Sequence, residues 1–196
     1  MCSILGLLDL QGDADALRAQ ALKLSRLQRH RGPDWSGVYT HPRAILVHER
    51  LAIVGVESGG QPLLNPAGTH ALAVNGEIYN HKELEASLTQ PFEFQTRSDC
   101  EVILALYAER GTTFLNDLRG MFAFVLYDAD ADRYVIARDP IGIIPLYTGY
   151  DATGTFYVAS EMKALTPVCE TIAEFPPGHV LDSRTGKLEP YYAPAW

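Results

Sequence analysis

The fold of this chain is decided at its beginning, by Met1-Cys2-Ser3-Ile4-Leu5-Gly6-Leu7-Leu8-Asp9. The run from Ile4 to Leu8 is apolar without polar alternation, which is typical of a strand covered on both faces. It is too short to span a bilayer, and it lacks the basic residues that begin a signal peptide. We therefore predict a buried strand with Cys2 at its head.

Cys2 gains a second functional group if Met1 is removed, which its small side chain permits. The thiol and a free α-amine then share one Cα. Their ordinary pKa values are about 8.5 and about 7.7–8.0, so the amine can accept the thiol's proton near neutral pH. N-terminal threonine nucleophiles are activated in the same way. A cysteine in second position can also be a small packed hydrophobe, so position alone does not assign its role.

The composition is that of a soluble globular protein, with 196 residues, 47% of them hydrophobic and 20% charged. A net charge of −8 without a Lys/Arg block argues against nucleic-acid binding. Cys2, Cys100 and Cys169 are odd in number and far apart, so they predict neither a disulfide framework nor a metal site. These features point to the cytoplasm, with no membrane partner.

Local patterns predict sheets packed together with helices outside. Asp13 is the predicted N-cap of a helix over 13–30, and the pairs Asn80/Glu83 and Ser98/Glu101 are capping boxes for helices over 81–89 and 98–110. Strands are predicted over 37–40, 44–54, 71–74, 121–128, 134–138, 146–150 and 156–159. Apolar runs with strands at both ends of the chain indicate the layer order α-β-β-α.

Three polar clusters have alternative interpretations. Arg50 lies in an apolar stretch, so its head group must meet either a carboxylate in an ion pair or the carboxylate of a substrate. Asn75-Gly76 most often forms a turn, although an amide beside a glycine N–H also provides two donors for an oxyanion. Asp99 suits the first turn of a helix because of the macrodipole, or it accepts a ligand ammonium. The residues alone leave all three open.

The motifs become recognisable as a set. They are Cys2, His30-Arg31-Gly32-Pro33-Asp34, His48-Glu49-Arg50-Leu51, Asn75-Gly76-Glu77-Ile78-Tyr79-Asn80, Ser98-Asp99 and Arg138-Asp139-Pro140-Ile141-Gly142. Their order and spacing resemble the class II glutamine amidotransferases, which are N-terminal-nucleophile hydrolases. Segments 142–147 and 159–165 make the chain most similar to the N-terminal glutaminase domain of glutamine-hydrolysing asparagine synthetases of the bacterial B type. The resemblance covers essentially the whole chain.

The resemblance implies an α+β fold, a four-layer αββα sandwich of two antiparallel sheets flanked by helices. The glutaminase domain would span 1–190, with 191–196 as its C-terminal edge or a linker. It also implies hydrolysis of the side-chain amide of L-glutamine to glutamate and ammonia, through a γ-glutamyl thioester on Cys2. No metal and no cofactor is implied for this reaction.

The resemblance also implies roles for individual residues. Asn75, through its side chain, and Gly76, through its backbone N–H, would form the oxyanion hole. Arg50 would bind the substrate's α-carboxylate. The other implied residues are Glu77 and Asp99 at the α-ammonium, the backbone of Leu51, Ala52, Ile53 and Val54 beside the carboxylate, and Arg31 as support near the nucleophile.

Ammonia in this family passes to a synthetase domain that uses ATP, Mg²⁺ and aspartate and carries a pyrophosphate-binding loop. The sequence contains no such loop, so we expect glutamine hydrolysis without asparagine synthesis, an ammonia-accepting synthetase domain or subunit as partner, and inactivity while Met1 remains. A homodimer is left open. The alternatives are a non-catalytic or partner-dependent glutamine-binding subunit, an amidotransferase half that serves a different acceptor, and a purely structural fragment.

Overall fold

The computed structural model describes residues 1–52 and 58–194. Its strands are β1 (Ser3–Leu8), β2 (Trp35–His41), β3 (Ala44–Arg50), β4 (Leu63–Leu64), β5 (His70–Ile78), β6 (Gly120–Asp128), β7 (Arg133–Arg138), β8 (Tyr147–Tyr150), β9 (Phe156–Ala159), β10 (Thr171–Glu174), β11 (His179–Asp182) and β12 (Lys187–Pro190). Its α-helices are α1 (Ala14–Arg26), α2 (His81–Ala86) and α3 (Val102–Arg110), and short 3₁₀ turns lie at Asp99–Glu101, Thr113–Asp117 and Met162–Ala164.

The strands form two six-stranded antiparallel sheets. The first has the order β10-β8-β9-β1-β3-β2, and the second has the order β12-β11-β7-β6-β5-β4. Strand β1 is an interior strand, paired with β3 on one side and with β9 on the other. The chain's first residues are therefore built into the middle of a sheet.

The packing of β1 explains why its sequence is apolar without interruption. Ile4 and Leu8 lie in the core between the two sheets, whereas Leu5 and Leu7 belong to the core that the first sheet shares with α1. On the far side, Ile103 of α3 packs in the core that covers the second sheet. The layers are therefore α, β, β and α, which confirms the predicted sandwich.

Helix α1 is capped as predicted but ends earlier. The Asp13 carboxylate accepts hydrogen bonds from the backbone N–H groups of Asp15 and Ala16. The α-helix stops at Arg26, short of the predicted end at residue 30. Residues 27–32 continue in tighter turns, in which most N–H groups bind the carbonyl three residues earlier.

The capping box predicted at Asn80 is wrong. The Asn80 side chain makes no cap to α2. Its Nδ2 donates to the carbonyl of Asp117 at 3.0 Å, and its Oδ1 accepts from the N–H of Arg119 at 2.9 Å. Asn80 therefore ties the start of α2 to the segment that leads into β6, a long-range use of the side chain that local spacing does not reveal.

The capping box predicted at Ser98 is half right. The Ser98 hydroxyl accepts from the N–H of Cys100, but it opens a 3₁₀ turn that precedes α3. The Glu101 carboxylate binds the N–H groups of Gln95 and Thr96 instead of returning to Ser98. The acid therefore fixes the incoming loop.

Two predictions near the site also change. The strand predicted over 44–54 ends at Arg50. Asn75-Gly76, for which a turn was the simplest interpretation, lies inside β5, opposite Ala123 and Phe122 of β6. A Cβ added to Gly76, whose φ is +155°, would lie 2.1 Å from the carbonyl oxygen of Met121. Glycine is required here because the two strands approach too closely for a side chain.

Candidate active site

The register of the first sheet determines what surrounds Cys2. Ser3 pairs with Glu49, so the head of β1 meets the end of β3 at Arg50. The Sγ of Cys2 lies 3.3 Å from the backbone nitrogen of Leu51, which donates to it. The same sulfur lies 3.6 Å from the carbonyl oxygen of Leu51, so the backbone of this residue fixes the position of the thiol.

His48 links the two sheets beneath this point. Its Nε2 lies 3.1 Å from the carbonyl oxygen of Val74 in β5. Burial lowers the pKa of His48 to about 3, despite that hydrogen bond, and the charge of Arg50 acts in the same direction as burial. The ring is therefore neutral at physiological pH, and Nε2 donates to the carbonyl. His48 acts as a tie between the sheets.

Seven of the predicted residues line one cleft, which is partly open to solvent and has about 560 Å³ of space when its open mouth is included. Its walls include Cys2, Arg50, Leu51, Asn75, Gly76, Glu77 and Asp99. They come from the residue before β1, from the last residue of β3 and the residue after it, from β5, and from the 3₁₀ turn before α3. Met1 also lines the cleft, so its removal enlarges the space beside the thiol.

Asn75 is the least usual of these residues. It is 1% exposed, and its Nδ2 has no hydrogen-bond acceptor among residues 1–52 and 58–194. A buried donor left without a partner costs about 1–3 kcal/mol. In a cleft, such a donor is suited to a ligand oxygen, which would accept the hydrogen bond that the protein leaves unmade.

Asp99 is buried and firmly held. Its Oδ2 accepts from the N–H of Ile78 at 2.6 Å, and the thiol of Cys100 lies 3.7 Å from the same oxygen. Burial, followed by the charge of Asp99, raises the pKa of the Cys100 thiol, which therefore stays protonated. Asp99 both starts the helical segment and faces the cleft, so the two interpretations of this residue are compatible.

Arg31 lies behind the nucleophile and outside the cleft wall. Its Nε donates to the carbonyl of Cys2 at 3.1 Å, and its Nη1 contacts Glu161 Oε1 at 3.2 Å. The adjacent Gly32 packs directly on β3, since a Cβ there would lie 2.1 Å from the carbonyl oxygen of Glu49. The turns after α1 thus place Arg31 against Cys2.

The backbone predicted beside the substrate carboxylate is only partly described. Leu51 lines the cleft. Ala52 does not, and its N–H donates to Asp34 Oδ2 at 2.8 Å. Ile53 and Val54 lie outside the described residues.

Several cleft residues were not predicted as site residues. They are Gly59, Gln61, Ser98, Cys100 and Met121. Gln61 is held by β5, because its Oε1 accepts from the N–H of Val74 at 2.8 Å. A single glutamine in a loop carries no signal for this position, since only the packing of the loop on β5 places it there.

One group of potential metal ligands lies elsewhere. The side chains of His70, Asp128 and Asp130 come within reach of a common point. The Asp128 carboxylate already accepts from the Tyr107 hydroxyl at 2.9 Å and from the N–H of Ala131 at 3.0 Å.

In the described part of the chain, no helix has the length and apolar character needed to cross a membrane.

Comparison with known families identifies the domain. A family model described as a glutamine amidotransferase domain matches residues 1–176. The chain belongs to this glutamine amidotransferase family. The resemblance predicted from the motifs is confirmed, while the boundary at residue 190 stays a prediction.

Two similar curated proteins are longer than this chain. Asparagine synthetase B [glutamine-hydrolyzing] of Escherichia coli strain K12 is 62% identical over 196 residues, covering 100% of this chain and 35% of that protein. A probable asparagine synthetase [glutamine-hydrolyzing] of Schizosaccharomyces pombe is 54% identical over 198 residues, covering 100% of this chain and 36% of that protein. The chain spans about a third of the length of these curated relatives.

A solved structure confirms the type of fold. The glutamine phosphoribosylpyrophosphate amidotransferase from B. subtilis, complexed with ADP and GMP, superposes with a TM-score of 0.78 at 24% identity. The match covers 98% of this amidotransferase domain and 50% of that chain. The likeness concerns the fold, which is the predicted N-terminal-nucleophile type.

Proposed function

We propose that this chain hydrolyses the side-chain amide of L-glutamine to glutamate and ammonia, with Cys2 as the nucleophile. The observation that carries the proposal is the buried amide of Asn75, whose Nδ2 has no acceptor among the described residues and which lines the same cleft as the Cys2 thiol. Arg50 and Asp99 line that cleft as well, and their opposite charges suit the carboxylate and the ammonium of an amino acid. Glu77 adds a second acid on the ammonium side.

The first half-reaction forms a thioester. The Cys2 sulfur attacks the amide carbon of glutamine, and the C=O electron pair moves onto the oxygen. The Asn75 Nδ2 and the N–H of Gly76 stabilise this oxyanion. The α-amine of Cys2, which has taken the thiol's proton, returns it to the leaving nitrogen. The C–N bond breaks, ammonia departs, and a γ-glutamyl thioester remains.

The second half-reaction is hydrolysis. The neutral α-amine accepts a proton from a water molecule, which attacks the thioester carbon and releases glutamate and the thiol. Both half-reactions need an α-amine on Cys2, which exists only after Met1 has been removed. A peptide nitrogen cannot serve as this base, so we expect the chain that retains Met1 to be inactive.

We propose that the ammonia acceptor lies outside residues 1–196. The relatives are about three times as long and are named as synthetases, which supports an ammonia-accepting synthetase domain or subunit as partner. ATP and Mg²⁺ would belong to that partner, and the glutaminase reaction itself needs neither. A cytoplasmic location follows from the same proposal.

The proposal is tested with two samples of the chain that differ only at the N-terminus. One is made with a cleavable tag whose removal leaves Cys2 first, and the other retains Met1; mass spectrometry verifies both. We expect equimolar ammonia and glutamate from L-glutamine with the first sample, and a rate at least about 10²-fold lower with the second. Equal rates would contradict the role of the α-amine. Thermal stabilisation by glutamine without turnover in either sample would favour a binding subunit.

A further inference from the structure

We propose that Glu161 is a positioning residue for the N-terminal nucleophile and acts through Arg31. The proposal rests on the function proposed above and assigns this acid a part in the same reaction. Glu161 is not among the cleft residues named above, and the motifs that reveal the nucleophile give it no role. Its importance comes from the hydrogen bonds that connect it to the first residues of the chain.

The sheet brings Glu161 next to the head of β1. Ala159 of β9 is paired with Leu5, so the residues that follow β9 run beside the residues that precede Leu5. Ser160 binds Ile4 twice, with its N–H on the Ile4 carbonyl and its Oγ accepting from the Ile4 N–H, each at 3.0 Å. Glu161 follows directly and, in the same antiparallel register, lies opposite Ser3, the residue after Cys2.

Two sets of hydrogen bonds then connect Glu161 to the first residues of the chain. The N–H of Glu161 donates to Gln28 Oε1 at 3.0 Å, and Gln28 Nε2 donates to the carbonyl of Ile4 at 3.3 Å. The Glu161 carboxylate holds Arg31 at 3.2 Å, and Arg31 holds the carbonyl of Cys2 at 3.1 Å. The backbone of Cys2 is therefore held by Arg31, which the Glu161 carboxylate holds in turn, and Gln28 holds Ile4 two residues further on.

Glu161 is ionised in this environment. Its Oε1 also lies 3.0 Å from His30 Nε2, and its Oε2 lies 3.0 Å from Lys163 Nζ. Partial burial by itself raises the pKa of the Glu161 carboxyl, but the hydrogen bonds from Lys163 and Arg31 outweigh it and lower the pKa. His30, Arg31 and Lys163 are thus the titratable groups that face this carboxylate.

Arg31 depends on this acid. The Arg31 side chain is 15% exposed, and its Nη2 has no acceptor in the described part of the chain. Glu161 is its only carboxylate partner among the described residues. Without that carboxylate, a mostly buried guanidinium would retain one anchor and an uncompensated charge beside the nucleophile. Its hold on the Cys2 carbonyl would then loosen.

This role predicts a specific kinetic signature. Arg50, Glu77 and Asp99 are separate from Glu161, so loss of Glu161 leaves glutamine binding intact. Misplacement of the nucleophile lowers the rate of the chemical step. An uncompensated guanidinium also disfavours the protonated α-amine, because like charges repel. The acid limb of the pH profile of kcat/KM therefore moves to lower pH.

The experiment compares Glu161→Gln with Glu161→Asp and with Lys163→Met, which removes a partner of Glu161 that does not contact Arg31 in the described structure. With Cys2 as the verified N-terminus, we expect Glu161→Gln to lower kcat at least about tenfold with KM within about twofold. The acid limb shifts down by about half a pH unit. Glu161→Asp recovers part of kcat, and Lys163→Met stays within about twofold of the parent.

A second readout does not need glutamine turnover. Alkylation of Cys2 by iodoacetamide, followed by mass spectrometry at that residue, reports the reactivity of the thiol against pH. We expect its midpoint to move to lower pH in Glu161→Gln and to stay in place in Lys163→Met. This shift in a chain without glutaminase activity would retain the positioning role and reject the proposed function. An active parent with unchanged kcat, pH profile and alkylation in Glu161→Gln would overturn the positioning role alone.

Discussion

The buried Arg138 and the partly buried Arg31 both hold backbone carbonyls, yet their surroundings differ. Arg138 uses all three nitrogens: Nε on the carbonyl of Ile144, Nη1 on Phe175 and Glu174, and Nη2 on Gly142. Arg31 holds Cys2 and Glu161, and its Nη2 has no acceptor in the described structure. Every guanidinium nitrogen of Arg138 has an acceptor, whereas one nitrogen of Arg31 has none among the described residues.

Asp139, next to Arg138, and Asn75, in the cleft, show the same contrast. Asp139 is completely buried, and its carboxylate accepts from the N–H groups of Ile141, Ile143 and Ile144. Asn75 is equally buried, but its Nδ2 lacks an acceptor among the residues described. Both motifs took part in the family resemblance, so the sequence treats them alike. The structure distinguishes them: Asp139 is fully engaged in holding a loop, whereas Asn75 keeps a donor available at the cleft.

The contrast has a physical basis. A buried donor without a partner destabilises the folded state, so a cluster that only supports the fold satisfies every group. A cluster that stabilises a transition state must keep a donor available for charge that develops on the substrate. Substitutions in the two clusters should therefore separate stability from turnover.

The largest effect is expected for Cys2→Ala in the cleft. Without the sulfur, no thioester forms, and glutamine-dependent ammonia release should fall at least about 10³-fold. The melting temperature and its shift on adding glutamine should persist. The matched control is Cys169→Ala, because burial raises the pKa of Cys169 to about 11 and keeps that thiol protonated. Comparable losses in both variants would contradict the assignment of Cys2.

Arg138→Met should have the opposite effect, a loss of stability with turnover retained. It leaves three carbonyls without their donor, two of them buried, and we expect the free energy of unfolding to fall by about 3–5 kcal/mol. Ammonia release per folded molecule should change little. Urea unfolding measures the loss, with exposed Arg119→Met as the control and Arg138→Lys as a milder variant if the first does not fold. A stable Arg138→Met with low turnover would place this cluster in the reaction.

Asn75→Ala should lower kcat by about 10²–10³, or about 3–4 kcal/mol of transition-state stabilisation, with KM nearly unchanged. The free energy of unfolding should change little, because the amide that is removed has no acceptor in the described structure. Asn65→Ala is the matched control, since the side-chain Oδ1 of Asn65 accepts from the N–H groups of Thr69 and His70. That control should lose stability and keep its kcat; a rise in KM alone for Asn75→Ala would reject the oxyanion role.

The smallest effect concerns His48, beside the site but outside the cleft wall. Its pKa of about 3 in the folded state lies below the ordinary value near 6.5, so the unfolded chain binds the proton first. Stability from this group is complete above about pH 6.5 and is lost as the pH falls toward 3, by about 2 kcal/mol between pH 7 and 5. Urea unfolding at both pH values should show a smaller loss for His48→Gln. An unchanged pH dependence would mean that His48 is not held neutral.

Much of the fold was predictable because its signals are local. The uninterrupted apolar run of β1, the Asp13 cap and the later strands depend on neighbouring residues only. Predictions failed where a side chain acts over a distance: Asn80 ties two segments, and Glu101 holds an incoming loop. The end of α1 was placed too late because its last turns tighten around contacts with β1.

The sequence by itself determined the layer order, the nucleophile candidate and the family, since apolar periodicity and motif spacing are properties of the chain. Only the tertiary structure decided that Asn75-Gly76 continues a strand and faces the same cleft as Cys2, Arg50 and Asp99. It also decided which buried polar groups are satisfied. The reason is that strand register and hydrogen-bond completion depend on pairings between distant segments, and these exist only once both sheets have formed.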